Sequence, residues 1–431
     1  MTADTIYALA SAPGRAGVAM IRISGPLAGP VLETLAGPLP SARTARLRGI
    51  AHLGREMDRG LVLWFPGPQS FTGEDVAEFH IHGGKAIREL LFKALAELGL
   101  RPAGPGEFSR RAVEHGRLDL TRAEAIADLV DAETPAQLGQ ALRQYDGALA
   151  ALYEGWRAEL IGGLARAEAA IDFAEDGVGN EEIGRARATA GRLAAAMASH
   201  LDDDRRGEAL REGLKLAIVG PPNAGKSSLI NALARREAAI VSDVPGTTRD
   251  VIELRLDLGG YLVHIADTAG LRQTEDAVEA EGVRRALAQA RASDMVVFLG
   301  DGTSPYTEYI GRAADLTVWN KSDLPGYRNP DGMALSLKTG QGLGELVVAL
   351  TGKVAERLEA QNEAPALTRP RHRHALKEAL ENLRQAGAND QAPELLAENL
   401  RLSLRALGRI TGRVDIEEVL DQVFQGFCIG K

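Results

Sequence analysis

The stretch Gly220-Pro221-Pro222-Asn223-Ala224-Gly225-Lys226-Ser227 decides the fold of the central part of the chain. It matches the phosphate-loop pattern in full, and it lies between two apolar runs, Leu214–Val219 and residues 229–233. A strand, a glycine-rich loop and a helix in this order cradle phosphates, because loop N–H groups and the helix N-terminus attract anions. Lys226 can reach the β- and γ-phosphates, and the Ser227 hydroxyl can ligate Mg²⁺. This context disfavours a chance glycine-rich turn and predicts an α/β P-loop domain.

Two further motifs follow predicted strands and complete a nucleotide site. Asp267-Thr268-Ala269-Gly270 follows the apolar run Tyr261–Ala266, so its Asp can hold the water shell of Mg²⁺ at the carboxyl edge of the sheet. Asn320-Lys321-Ser322-Asp323 follows residues 316–319. The Asp323 carboxylate can accept hydrogen bonds from N1–H and the exocyclic amine of guanine, a donor pair that adenine lacks. We therefore predict GTP rather than ATP, with Ser336-Leu337-Lys338 as the base-supporting loop.

The residue after Asp-Thr-Ala-Gly is unusual for a GTPase. Many regulatory GTPases carry there a Gln that orients the attacking water, whereas this chain has Leu271, which cannot hydrogen-bond water. Asn223 and the polar segment 242–250 could instead hold a monovalent cation that neutralises charge developing on the phosphates. Thr248 in that segment is the predicted second Mg²⁺ ligand. The predicted GTP contacts are Asn223, Ala224, Gly225, Lys226, Ser227, Ser228, Ser242, Asp243, Val244, Pro245, Gly246, Thr247, Thr248, Asp267, Thr268, Ala269, Gly270, Asn320, Lys321, Asp323, Ser336 and Lys338.

The segments on either side of the P-loop domain have different textures. Residues 1–118 alternate short apolar runs with Gly and Pro, and they predict strands at 18–23 and 76–82 and a helix at 87–98, hence an α+β domain. Thr121 and Glu124 fit a capping box that opens a helical region. The helical pattern returns after the P-loop domain, so we predict a discontinuous helical domain into which the P-loop domain is inserted. A single helical seam is predicted from Leu138, Leu142, Tyr145, Leu149, Leu152 and Trp156.

Composition limits the class of protein. The chain has 431 residues, a formal net charge of −9 and one cysteine, Cys428. The negative charge disfavours coating of nucleic acid by bulk electrostatics. The lone cysteine, the absence of a long apolar run and the lack of a signal-peptide pattern lead us to expect a cytoplasmic protein without a membrane segment.

Several motifs together resemble the MnmE (TrmE) family of tRNA-modification GTPases along the whole chain. The P-loop domain carries Asn223 in the phosphate loop, Gly246-Thr247-Thr248-Arg249-Asp250 and Leu271, and the chain ends in Cys428-Ile429-Gly430-Lys431. The N-terminal matches are Gly14-Arg15-Ala16-Gly17, Arg22-Ile23-Ser24-Gly25, Phe71-Thr72-Gly73-Glu74-Asp75, His82-Gly83-Gly84 and Pro105-Gly106-Glu107-Phe108, followed by Leu118-Asp119-Leu120 and Ala123-Glu124-Ala125-Ile126.

The resemblance implies an architecture and an activity. Its domains would be a tetrahydrofolate-binding-like and dimerisation domain at 1–118, a helical domain at 119–212 and 365–431, and a Ras-like GTPase domain at 213–364. A homodimer would hydrolyse GTP with Mg²⁺ and K⁺. Together with a FAD-dependent MnmG-type partner in a heterotetramer, it would add an aminomethyl or carboxymethylaminomethyl group to C5 of the wobble uridine of certain tRNAs. The one-carbon donor would be 5-formyl- or 5,10-methylene-tetrahydrofolate.

The resemblance also assigns roles to single residues. It implies K⁺ ligands at Asn223, Ser242, Val244 and Thr247, folate contacts at Arg22, Glu78, Arg117 and Lys431, and a water-orienting acid at Glu279. With Glu279, the candidate catalytic residues are Asn223, Lys226 and Cys428.

Some features leave alternatives open. Cys428 could attack a carbon electrophile, or it could pack as a small apolar residue beside Phe424 and Phe427. His80 and His82 lack a third ligand for zinc, so a surface or folate-pocket role is preferred. The basic run 369–374 could contact tRNA phosphate, although a solvated helix start is preferred. A GTP-gated ribosomal-RNA assembly factor and a folate enzyme with a regulatory GTPase domain are the rival functions.

Overall fold

The structure is a computed structural model, and the chain divides into two units. The first comprises Met1–Val130, Gln144–Met197 and His374–Lys431, and the second comprises Asp131–Arg143 and Ala198–Arg373. The second unit is wider than the segment 213–364, and the four-part division proposed above stays a prediction. The residues that the structure describes are 4–172, 179–236, 254–266, 288, 290–304, 313–328, 331–359, 365–388, 392–414, 420–421 and 423–430.

The N-terminal part of the first unit is built on a six-stranded mixed sheet. Its strands are β1 (Ile6–Leu9), β2 (Ala19–Ser24), β3 (Arg46–His52), β4 (Arg55–Phe65), β5 (Val76–Ile81) and β6 (Arg101–Pro102). They lie in the order β3-β4-β5-β2-β1-β6, and only the β1–β6 pair is parallel. Helices α1 (Ala28–Ala36) and α2 (Lys85–Glu97) pack their apolar side chains on this sheet in one core. The predicted strands at 18–23 and 76–82 and the helix at 87–98 are confirmed.

The rest of the first unit is helical. Its elements are α3 (Glu107–Glu114), α4 (Leu120–Asp131), α6 (Ala148–Asp172), α7 (Gly179–Leu201), α11 (Pro370–Ala386) and α12 (Pro393–Thr411). Helix α6 packs along α12, and it buries Leu149, Tyr153, Trp156 and Leu160 at alternating spacings of four and three residues. The capping-box prediction at Thr121 is wrong, since the Oδ1 atom of Asp119 accepts the backbone N–H of Arg122 and caps α4 two residues earlier.

The predicted single seam from Leu138 to Trp156 is also wrong. Helix α5 (Pro135–Tyr145) ends at Tyr145, and helix α6 begins at Ala148. Gly147, in the turn between the two helices, has φ +94°. L side chains rarely adopt this backbone conformation, so glycine is favoured at this turn, and a Cβ there would also displace the Arg122 guanidinium, 2.4 Å away. The regular spacing runs across the break by coincidence. Three seam residues on α5 are therefore exposed, namely Leu138, Leu142 and Tyr145.

Helix α5 buries a polar face instead, and this face packs in the second unit. The side-chain amide of Gln137 donates to the carbonyl of Arg211, and that of Gln140 donates to the carbonyl of Gly207, both on helix α8 (Arg206–Glu212). The Arg211 carbonyl lies in the last turn of α8, where intrahelical partners run out, whereas Gly207 lies in the first turn. The Gln137 side chain thus satisfies an orphan acceptor that an apolar side chain would leave unpaired, and Gln140 adds a second hydrogen bond to the helix.

The second unit contains a sheet of Ras-like α/β topology. Its strands are β7 (Leu214–Val219), β8 (Leu254–Leu258), β9 (Tyr261–Ala266), β10 (Met295–Asp301), β11 (Leu316–Asn320) and β12 (Met333–Ala334). Their order is β12-β11-β10-β7-β9-β8, and all neighbours are parallel except β8 and β9. The central strands β7 and β10 are almost entirely apolar because helices, including α9 (Lys226–Arg236) and α10 (Leu343–Leu358), cover the sheet.

The basic run near residue 370 is not a solvated helix start. Arg373 donates to the carboxylates of Asp203 and Glu208 and to the carbonyl of Leu201, and His372 is fully buried. The charge of Arg373 therefore belongs to an ion-pair network of the second unit. Among the described helices, none is long and apolar enough to cross a membrane.

Candidate nucleotide-binding site

The predicted phosphate loop joins β7 to α9. The backbone turns through positive φ angles at Asn223 and Gly225, and the helix begins at Lys226. A Cβ at Gly225, which has φ +104°, would lie 2.5 Å from the side-chain nitrogen of Asn320. Glycine is required there because a side chain would push the base-recognition motif away from the loop.

The side chain of Lys226 lies against the phosphate loop. Its Nζ donates to the carbonyl oxygens of Gly220 and Pro221 at 2.8 and 2.9 Å. These hydrogen bonds keep the ammonium group at the mouth of the loop, next to the first turn of α9 that also carries Ser227. A phosphate entering the loop would offer the ammonium group a charged acceptor in place of two neutral ones.

Asn320 ties the phosphate loop to the base-recognition segment. Its Nδ2 donates to the carbonyl of Ala224 at 2.8 Å, and its Oδ1 accepts the backbone N–H of Leu337 at 3.2 Å. The residue is buried at the end of β11, where both hydrogen bonds are shielded from water. One amide therefore fixes three loops relative to one another.

Asp323 lies at the surface of this segment with one carboxylate oxygen held in place. The Ser336 hydroxyl donates to Asp323 Oδ1 at 2.6 Å, and Ser336 itself is fully buried. The Ser336 oxygen also accepts the backbone N–H of Thr339 at 3.2 Å, which fixes its position. The carboxylate is thus oriented before any base arrives, and it can accept the two adjacent donors of guanine.

Sequence reasoning missed Asp301, which orients the second residue of the same motif. Lys321, at φ +67°, donates from Nζ to Asp301 Oδ2 at 2.5 Å. Burial acts to raise the pKa of Asp301, but hydrogen bonds from Lys321 and Thr303 outweigh it and hold that pKa below its ordinary value. Asp301 is the polar last residue of the buried strand β10, and β10 lies next to β11, which ends directly before Lys321. A polar residue at that strand end was the signal that could have identified Asp301 as a site residue.

The remaining predicted nucleotide residues lie outside the described part of the chain. This holds for the segment with Ser242, Asp243, Val244, Pro245, Gly246, Thr247 and Thr248, and for Asp267, Thr268, Ala269, Gly270 and Glu279. Ser228 is exposed on the first turn of α9, and Lys338 follows Leu337 in the base-supporting loop.

Two predicted folate residues meet across neighbouring strands of the first unit. Arg22 on β2 faces Glu78 on β5, and the guanidinium Nε lies 3.0 Å from Glu78 Oε1. The other carboxylate oxygen lies 3.2 Å from His80 Nε2. The Arg22 guanidinium also stands over the Phe71 ring, 5.3 Å from its centroid. His82 binds Asp58 instead, and no group of metal-ligating side chains that could hold an ion occurs among the described residues.

The C-terminal tail lies against the first unit. Ile429 forms a β-bridge with Pro105, and Gly106 donates its N–H to the carbonyl of Cys428. The Cys428 side chain is exposed, so the alternative of packing beside Phe424 and Phe427 is wrong. Lys431 lies outside the described residues, and Arg117 is exposed next to Leu118.

Comparisons with known proteins decide the family. The model of the MnmE helical domain matches residues 120–428, and that of the GTP-binding protein TrmE N-terminus matches residues 5–117. The chain belongs to the MnmE family of tRNA modification GTPases. A tRNA modification GTPase MnmE from Rhodospirillum rubrum is 54% identical over 458 residues, covering 100% of both chains. Its counterpart from Parvibaculum lavamentivorans is 53% identical, covering 99% of this chain and 100% of its own.

One solved structure shares a lower similarity with this chain. The G domain of the T. maritima FeoB iron transporter is 24% identical, with a TM-score of 0.24, and covers 34% of this chain and 99% of its own. Membership of the MnmE family makes this chain a GTP hydrolase with an N-terminal domain of the TrmE type, a helical domain and a Ras-like P-loop domain.

Replacing Gly225 with Ala is expected to weaken GTP binding about tenfold, because the added Cβ would displace Asn320. Titration of the fluorescence of a labelled GTP analogue would measure the change. Gly352→Ala on α10 is the matched control, since a Cβ there would meet no atom within 4 Å. An unchanged affinity in Gly225→Ala would show that the loop and Asn320 move independently.

Proposed function

We propose that this chain is a K⁺-stimulated GTPase of tRNA wobble-uridine modification, acting as a homodimer with a FAD-dependent MnmG-type partner in the cytoplasm. The observation that carries the proposal is the prearranged guanine site, Asp323 held by Ser336, in a member of this family. The substrate of the whole assembly would be tRNA, and the product would carry an aminomethyl or carboxymethylaminomethyl group at C5 of the wobble uridine.

The described part of the loop fits a triphosphate with Mg²⁺. The ammonium group of Lys226 already lies at the loop mouth, and Gly225 leaves the space that a side chain would fill. Ser227, with Thr248, would hold Mg²⁺, which supplies charge neutralisation at the β- and γ-phosphates. Lys226 would exchange its two carbonyl acceptors for phosphate oxygens, and water would attack the γ-phosphorus as its bond to the bridging oxygen breaks. Glu279 is proposed to orient that water.

The proposed K⁺ dependence makes a specific prediction for Asn223. This residue is exposed in the loop, with φ +61°, where its side-chain oxygen is available as a ligand beside Ser242, Val244 and Thr247. Asn223→Ala is expected to lower GTP turnover in K⁺ by about tenfold and to abolish the difference between K⁺ and Na⁺. Phosphate release would be measured in each salt.

An asparagine distant in the sequence serves as the control for this prediction. Asn382 on α11 donates to the carbonyl of Glu378 one turn earlier, far from any predicted nucleotide residue in the sequence. Asn382→Ala should keep the K⁺ stimulation. Equal turnover in K⁺ and Na⁺ by the unaltered protein would remove the cation from the proposal and leave GTP hydrolysis standing.

We also propose that the N-terminal domain binds tetrahydrofolate, as the 5-formyl or 5,10-methylene form, through Arg22, Glu78, Arg117 and Lys431. A buried carboxylate can accept the paired N–H donors of a pterin ring, and Glu78 is only 9% exposed. Arg22 and Phe71 would bind beside it through charge and ring contact. Cys428 is exposed on the tail at the Pro105–Ile429 bridge. Its proposed role is attack of the thiolate on the one-carbon unit, in which a C–S bond forms while a C–N bond to the folate breaks and the folate nitrogen takes up a proton.

The nucleosides of tRNA from cells that lack this protein test the proposal as a whole. The expected result is wobble uridine without its C5 substituent, restored by the unaltered gene and not by Asp323→Asn. Normal wobble uridines would overturn the tRNA part of the proposal. An assembly factor for ribosomal RNA would instead produce immature ribosomal subunits with normal tRNA.

A further inference from the structure

A cavity lined by several arginines, including the exposed Arg117, lies in the first unit. It has a volume of about 550 Å³ and lies between the end of α3, the start of α4 and the end of α12. Four arginines line it, namely Arg117, Arg122, Arg157 and Arg413. The two lining carboxylates are those of Glu114 and Asp119.

Among the described residues, the carboxylates around the cavity do not balance its arginines. Glu114 pairs with Arg110, which is not part of the lining, and Asp119 caps α4 while it faces Arg122 at 3.5 Å. Arg157 and Arg413 share one carboxylate behind them, that of Glu154, at 3.7 and 2.6 Å.

Of the four arginines, Arg117 has the fewest carboxylates near its guanidinium group. Within the described part of the chain no carboxylate lies within ion-pair distance of its guanidinium. The positive end of α4 and the negative end of α12 meet at the cavity, so the helix dipoles offset each other and the side chains decide the sign. Among the described residues, the lining of the cavity therefore carries more arginines than carboxylates.

A buried hydroxyl without a partner marks the same cavity as a place for a polar ligand. Thr411, the last residue of α12, is 5% exposed, and its Oγ1 has no hydrogen-bond partner among the described residues. An unpaired buried hydroxyl costs free energy, and a ligand carboxylate would accept a hydrogen bond from it. The observation is independent of the arginines.

Three consecutive residues connect this cavity to the Arg22–Glu78 pair. Phe71 lies under the Arg22 guanidinium, and Thr72 hydrogen-bonds to Ser24 through Oγ1 at 2.7 Å and to His115 through its carbonyl at 2.8 Å. A Cβ on Gly73 would lie 3.3 Å from Arg117 Cγ. Consecutive Cα atoms are about 3.8 Å apart, so the two places lie within the reach of one elongated ligand.

We propose that the cavity binds the γ-linked oligoglutamate tail of the folate, with Arg117, Arg122 and Arg413 pairing to its carboxylates and Thr411 donating to one of them. The proposal rests on the folate site proposed above and names the form of folate that this site selects. Each added glutamate brings a further carboxylate, which suits a concave basic cavity better than a single terminal carboxylate does. The ligand would enter with its pterin ring at Glu78 and its tail toward α12.

Calorimetric titration of the full chain with 5-formyltetrahydrofolate bearing one glutamate, and with the same folate bearing several γ-linked glutamates, tests the inference. The oligoglutamate form is expected to bind about tenfold more tightly than the one-glutamate form. This gain in affinity should shrink with added salt. The double variant Arg122→Gln/Arg413→Gln should lose the gain and keep the affinity for the one-glutamate form.

Two further variants locate the effect. Arg401→Gln makes the same charge change on α12 at a side chain that is 52% exposed and pairs with Glu168 and Glu398, so it should keep the gain. Thr411→Val removes the unpaired hydroxyl at nearly constant volume. It should leave the melting temperature of the free protein unchanged or higher while reducing the gain.

Each outcome of these titrations separates the inference from the proposal on which it rests. Equal affinity for the two forms in the unaltered protein would overturn the oligoglutamate site and leave the folate site standing. No binding of either form would overturn both. A gain that survives in the double variant would overturn the assignment to this cavity.

Discussion

Asp323→Asn is expected to lower the affinity for GTP by about a thousandfold while creating affinity for xanthosine triphosphate. The substitution puts an N–H donor where the exocyclic amine of guanine also donates, so one hydrogen bond is lost and two donors face each other. Loss of a charged acceptor with a donor left unpaired is worth about 4 kcal/mol. Xanthine has a carbonyl at that position of the ring, and the asparagine amide can donate to it.

Nucleotide exchange measured by competition against a labelled analogue would quantify both affinities. Recovery with the xanthine nucleotide is an internal control, since it requires an intact loop and an intact Ser336 hydrogen bond. Loss of binding to both nucleotides would instead mean that Asp323 supports the fold of the loop. Tight GTP binding by the variant would contradict the assignment of Asp323 to the base.

The base-recognition segment was predictable because each of its residues follows a strand. In a parallel sheet, the carboxyl ends of β7, β11 and β12 come to one edge, so motifs distant in sequence converge without further information. The contacts of Asn320 and of Ser336 follow from that edge. Asp301 escaped notice because its partner is Lys321, and only the register of β10 against β11 places the two side chains together.

Helix boundaries and buried charge were not predictable in the same way. The spacing of Leu138, Leu142, Tyr145 and Leu149 is that of an apolar seam, yet the helix ends between the third and the fourth residue. Periodicity indicates which side chains share a face of a helix. It carries no information about the turn at Gly147, where the Arg122 side chain lies against the backbone. Likewise a run of arginines is usually solvated, and only tertiary structure brings acidic partners to Arg373.

Arg373→Met is expected to destabilise the second unit by about 3 kcal/mol at neutral pH. The Arg373 guanidinium binds Asp203 Oδ1 at 2.6 Å and Glu208 Oε1 at 3.0 Å, and the Glu208 side chain is only 3% exposed. Methionine would retain much of the packing of the arginine stem but would leave the buried Glu208 carboxylate and the partly buried Asp203 carboxylate without their shared cation. The melting temperature followed by circular dichroism would show the loss.

An exposed arginine on the same carboxylate provides the matched control for Arg373. Arg205 binds the other oxygen of Glu208 at 2.7 Å, but its side chain is 67% exposed, so water replaces it at little cost. Arg205→Met should therefore lower stability by less than about 1 kcal/mol. Equal losses in the two variants would show that burial does not set the strength of these ion pairs.

The destabilisation by Arg373→Met should shrink as the pH falls. Burial acts to raise the pKa of Glu208, but hydrogen bonds from Arg205 and Arg373 outweigh it and hold that pKa below its ordinary value of 4.5. The stabilisation by the network is thus fully present above pH 4.5 and is lost as the pH falls through the lower folded value. Below that value Glu208 is protonated in the unaltered protein too, so the melting temperatures of the protein and its variant should converge. A difference that stays constant from neutral pH down to the acid unfolding of the protein would mean that Arg373 stabilises the unit by packing rather than by charge.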